Sequence, residues 1–101
     1  MSTSPYRVVP RYPAPTTEDY AGWLADGQKG ASGIIDIADG SLARGYIQPD
    51  EFPDERIYFS YKSWPLATRR DTLVGRQVRF DMPPTEYDPR LKPMAVNVVL
   101  V

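Results

Sequence analysis

From Gly33 onward, five short segments rich in β-branched and aromatic residues are each closed by a turn signal, and this spacing leaves few folds open. Ile34, Ile35 and Ile37 run into Asp39-Gly40, and Arg44 to Gln48 runs into Pro49-Asp50. Glu55 to Lys62 carries Ile57-Tyr58-Phe59-Ser60-Tyr61, Leu73 to Met82 alternates in its second half, and Met94 to Val101 is apolar at most positions. The alternation sets Val78, Phe80 and Met82 on one face and Gln77, Arg79 and Asp81 on the other. Strands are expected near 33–38, 44–48, 55–62, 74–82 and 94–101, the last buried between neighbours. Five short strands in about seventy residues fit an all-β fold, a small, partly open Greek-key barrel. Between the fourth and fifth strands, Met82 to Pro93 forms a long loop stiffened by prolines, a kind of segment that is often functional.

The first 31 residues read differently. Pro5, Pro10, Pro13 and Pro15 make an extended arm, whose Tyr6, Val8, Val9 and Tyr12 either pack along the barrel or belong to a loose tail. Thr16 and Thr17 are cap candidates, with Asp19 placed to close a capping box and Gly27 to stop the helix. Between them Tyr20, Trp23 and Leu24 share one face of a helix over 17–26. So short a helix must dock that face, either on the barrel, which would bury Trp23, or on a protein partner. Gln28 to Ser32 reads as a linker, dividing the chain into an arm with its helix (1–31) and a barrel (32–101).

Composition narrows the chemistry. The chain has 101 residues, 42% of them hydrophobic, which suits one core and one function. It has no cysteine, hence no disulfide, thiolate metal site or thiol nucleophile, and no histidine, the commonest acid–base group near neutrality. No pair of acids stands out, so neither an enzyme nor a cofactor is expected. No apolar run approaches the roughly 18 residues that span a bilayer, and the N-terminus carries no secretory pattern, so no membrane contact and a cytoplasmic location are expected. The net charge of −1 gives no global basic footprint. The charge is unevenly placed, with −5 over residues 1–55 and +4 over residues 56–101.

Three stretches, in order and nearly in spacing, resemble the cold-shock domain. Gly33-Ile34-Ile35-Asp36-Ile37 through Gly45-Tyr46-Ile47 is similar to the family's opening strand and first ribonucleoprotein motif, without a gap. Ile57-Tyr58-Phe59-Ser60-Tyr61 resembles the second such motif, and Ala95-Val96-Asn97-Val98 the closing alanine-x-asparagine-valine strand. The resemblance covers about seventy residues and implies a five-stranded barrel of the oligonucleotide-binding (OB) type that stacks bases on surface aromatics. Three such positions are kept, as Tyr46, Tyr58 and Tyr61. Ile37 stands where the family offers tryptophan, Arg44 replaces an aromatic, Ser60 replaces histidine, and Arg69 falls near a further aromatic position.

Physical chemistry gives this pattern its meaning. Single strands are held by rings that stack on bases and by cations that follow the phosphates. Alternation places Arg44 with Tyr46, and Tyr58 with Ser60, on outward faces, with Ile47, Ile57 and Phe59 turned inward. Tyr61 breaks this parity and joins the patch only if the strand bends there. Arg44 offers a planar guanidinium for stacking or phosphate pairing, and Lys62 and Arg69 are further cations. Trp64 is expected to plug the barrel mouth. The acidic run Asp50-Glu51-Phe52-Pro53-Asp54-Glu55 would repel a phosphate chain passing over it. Two readings follow: a module for single-stranded RNA or DNA with little sequence preference, or a barrel turned protein-interaction module through its tyrosines and the Tyr20, Trp23 and Leu24 helix.

Overall fold

The computed structural model describes residues 15–69 and 72–101. Tyr6, Val8, Val9 and Tyr12 lie outside these residues. Seven elements follow in order: α1 (Thr17–Asp26), β1 (Gln28–Asp39), β2 (Arg44–Pro49), β3 (Ile57–Ser60), a one-turn α2 (Leu66–Arg69), β4 (Gln77–Met82) and β5 (Val96–Leu100). The five strands form one antiparallel sheet in the order β3-β2-β1-β4-β5, so β1 lies between β2 and β4 and the strands do not follow one another up and down. The sheet curls until the backbone ahead of β5 reaches β3. There Tyr58 and Met94 form a parallel bridge, with the Tyr58 N–H donating to the Pro93 carbonyl at 2.9 Å and the Ala95 N–H to the Tyr58 carbonyl at 2.8 Å.

The long β1 makes this curl possible. Its first half pairs with β4 and its second half with β2, and Gly33 belongs to both, opposite Val78 and Pro49. A β-carbon on Gly33 would sit 2.6 Å from Ile47 Cγ2 and 2.7 Å from the Gln48 carbonyl oxygen, so only glycine lets the strands close over the core here. Gln28 to Ser32 is therefore no linker. It is the start of β1, paired to β4 from Gln28↔Met82 to Ser32↔Arg79 across a bulge. Its polar, glycine-containing sequence has no alternation of its own, and the long-range pairing makes it a strand.

The inward face follows period two. Ile35, Ile47, Ile57, Phe59, Val78, Phe80 and Met82 are fully buried or nearly so, as the alternation of β4 required. Each such side chain contributes about 1.5–3 kcal/mol by leaving water. Strand β5 departs from expectation: Val98 is buried, whereas Val96 and Val99 are exposed. It lies at the end of the sheet order and pairs along its length with β4 alone, so its outer side chains have no second layer to meet.

Helix α1 has the expected ends. Thr16 closes a capping box with Asp19: the Asp19 N–H donates to Thr16 Oγ1 at 3.1 Å, and the Thr16 N–H donates to Asp19 Oδ2 at 3.0 Å. At the other end the Gly27 N–H donates to the Leu24 carbonyl at φ 72°. Tyr20, Trp23 and Leu24 are buried against the barrel, where Tyr20 and Trp23 meet Phe52 at ring-centroid distances of 5.2 and 5.4 Å. The loop after β4 straps the helix down. Tyr87 packs edge-on to Tyr20 at 5.8 Å, and the Thr85 N–H donates to the Leu24 carbonyl at 2.9 Å. Burial, then the nearby Glu55 charge, pushes the Tyr20 hydroxyl well above its ordinary pKa. No helix among the described residues is long and apolar enough to cross a membrane.

Candidate nucleic-acid interface

The outer face of β1, β2 and β3 is built in rows set by strand register. Tyr46 on β2 pairs with Tyr58 on β3 and with Ile37 on β1, so these three side chains form one row across the sheet. The Tyr46 and Tyr58 rings meet edge-on, with centroids 6.1 Å apart and planes at 69°. Both are half-buried, and Ile37 is 45% exposed. Beyond Tyr58 in the same direction, Met94 is exposed next to the bridge that closes the sheet.

This row depends on one crowded position. A bulge between Ile35 and Ile37 shifts the register so that Ile37, rather than Asp36, faces Tyr46. Bending β1 there brings the Ile37 carbonyl against Gly45, where any β-carbon would collide with it. Gly45 is thus what lets the bulge, and with it the Ile37-Tyr46 contact, exist.

Two residues along the strands, roughly 6–7 Å away, the neighbouring row is charged. Arg44 pairs with Ser60 across β2 and β3 and with Asp39 across β1 and β2. The Asp39 carboxylate is engaged by its own turn, accepting from the Ser41 hydroxyl at 2.8 Å and the Ser41 N–H at 3.0 Å, and these bonds hold its pKa below the ordinary range. Arg44 therefore extends from the face without an ion pair among the described residues. Lys62 is exposed just past Ser60, and Arg69, on α2, donates from Nη1 to the Lys62 carbonyl at 3.4 Å. The three cations named from the sequence share this end of the face.

At the opposite end the face turns acidic. Gln48, two residues from Tyr46, donates from its side chain to the Pro53 carbonyl. With Pro53, Asp54, Glu55, Asp36 and Arg56 it lines an open depression of about 310 Å³. Asp36 is paired there with Arg56, Nε to Oδ2, at 2.6 Å. The acidic run thus borders the aromatic row on the side away from Arg44.

Tyr61 is not part of this surface. It is 1% exposed and packs inward against Phe59 and Trp64, with centroids at 5.7 and 5.6 Å, because the backbone just after β3 keeps the strand's alternation, the Tyr61 N–H donating to the Ala43 carbonyl at 2.8 Å. Burial is the main reason its hydroxyl pKa is raised. Trp64 closes this end of the core on Phe59 and Tyr61, the plug expected of it. Of the eight residues named from the sequence, Ile37, Arg44, Tyr46, Tyr58 and Ser60 come together. Lys62 and Arg69 stand at their margin, and Tyr61 belongs to the core. Asp36 and Gln48 also border the row, and sequence reasoning missed both. Both were findable by alternation, Gln48 as the next outward position on β2 and Asp36 as the residue after inward Ile35, whereas Ile37 reaches the face only through the bulge. Compared with known proteins, the chain matches no family model, no curated protein and no solved structure.

Proposed function

We propose that this chain is an OB-type barrel, similar to a cold-shock domain, that binds single-stranded RNA or DNA with low sequence preference and without catalysis. The sheet order, with β1 between β2 and β4 and a parallel closing bridge between Tyr58 and Met94, supports the barrel type. The observation that carries the function is the row Ile37-Tyr46-Tyr58, open on one face, with Arg44, which makes no ion pair among the described residues, in the next row and Lys62 and Arg69 beyond it. Rings give sequence-tolerant affinity to unpaired bases, and cations on one flank give the phosphates a track. The acidic border on the other flank favours a second reading, a protein-binding surface, because tyrosine-rich patches serve protein partners as well.

A fluorescence titration with a labelled single-stranded octanucleotide at two salt concentrations separates the two. With about three cations engaged, log Kd should change with log salt at a slope near 2, and affinity at low salt should be micromolar. No binding at low salt would leave the protein-binding reading in place.

A further inference from the structure

The bulge in β1 places two successive side chains on the outer face, Asp36 beside Ile37. Ile37 faces Tyr46, so the Asp36 carboxylate stands at the edge of the same row. Arg56 Nε fixes it through Oδ2 at 2.6 Å, and among the described residues Oδ1 accepts no hydrogen bond. The pair is open to solvent, with half of the Arg56 side chain and 32% of the Asp36 side chain exposed. A carboxylate in this position is an oriented acceptor with one oxygen to spare, and Arg56 keeps its two Nη groups as donors beside it.

We propose that Asp36, oriented by Arg56, reads the edge of a base stacked on Tyr46 by accepting from its exocyclic amino group. The site then favours cytosine, and by the same chemistry adenine, over thymine or uracil at that position. Cytosine presents its N4 amino group next to the ring acceptor N3, a donor for Asp36 beside an acceptor for Arg56. Thymine presents the O4 carbonyl where the amino group would be, and two acceptors then face each other. The preference falls on one base of the bound segment, so it is compatible with low specificity elsewhere. The inference rests on the single-stranded reading of the face.

Fluorescence anisotropy with labelled hexadeoxycytidylate and hexathymidylate at neutral pH tests it, since the two pyrimidines have the same ring size. The wild type should bind the cytosine oligomer about tenfold more tightly, equivalent to about 1.4 kcal/mol. Asp36→Asn keeps the shape but can also donate to O4, and should bring the two affinities within about twofold of each other. Equal wild-type affinities, or a preference that survives in Asp36→Asn, would overturn the role of Asp36 while leaving the single-stranded reading intact. Failure to bind either oligomer would overturn both.

Discussion

Tyr20 and Trp23 on the inner face of α1 with Phe52 against them, and Tyr46 and Tyr58 on the outer face of β2 and β3, are aromatic clusters of similar make-up with different surroundings. In the first, a helix and the strap carrying Tyr87 cover the rings, leaving Tyr20 2% and Trp23 9% exposed. In the second, the rings pair edge-on across two strands and nothing among the described residues covers them. The difference comes from backbone parity and from what lies opposite, and it separates rings that hold the barrel together from rings available to a ligand. The Phe59-Tyr61-Trp64 cluster belongs with the first kind, although Tyr61 is only three residues from Tyr58.

Substitutions sharpen this division, and the largest effect is expected under the helix. Trp23→Ala should cost about 3–5 kcal/mol of unfolding free energy, because it empties a site that Tyr20 and Phe52 cannot refill. Urea denaturation followed by circular dichroism measures this. A loss below about 1 kcal/mol would mean that α1 is not a structural part of the barrel.

A smaller loss, about 1–3 kcal/mol, is expected for Gly45→Ala, where the new methyl group meets the Ile37 carbonyl. The bulge would have to shift, so the folded fraction of this variant should also lose oligonucleotide affinity. Unchanged stability and affinity would show that the bulge does not depend on Gly45.

The smallest effect concerns acid. The Asp81 carboxylate accepts from Asn97 Nδ2 at 2.9 Å and from the Gly30 N–H at 2.8 Å, and these bonds, Asn97's first, lower its pKa. A depressed folded-state pKa adds stability above the unfolded value, near 4, and that stability is lost as pH falls through the folded value. Asn97→Gly suits the backbone there, at φ 54°, but removes the side-chain donor. Thermal melts below about pH 4 should therefore show less acid sensitivity in the variant than in the wild type. Equal sensitivity would place the acid-labile contacts elsewhere, with Asp39 and Asp88 the next to test.

Local chemistry made α1 readable in full: Thr16, Asp19 and Gly27 define its ends, and the spacing of Tyr20, Trp23 and Leu24 its buried face. The β4 face was equally plain, because Val78, Phe80 and Met82 alternate with polar residues. Gln28 to Ser32 was not, since its strand character comes from β4, about fifty residues away. In the site, parity correctly predicted Arg44, Tyr46, Tyr58 and Ser60 as outward. The same parity assigns Tyr61 to the core, and only the resemblance drew it to the surface. Asp36, next to inward Ile35, is outward by the same count, whereas the outward direction of Ile37 comes from a bulge that no period-two count anticipates.

The central claim is that the open Tyr46-Tyr58 row binds single strands while the covered clusters hold the fold, and Tyr58→Ala tests it most directly. Oligonucleotide affinity should fall about 5- to 150-fold, the equivalent of 1–3 kcal/mol for one stacked base. Losing the edge-on contact with Tyr46 should cost the fold about 0.5–1.5 kcal/mol beyond the burial of a half-exposed ring, and circular dichroism checks that the variant is folded before the titration. Unchanged affinity in a folded Tyr58→Ala protein would contradict the account.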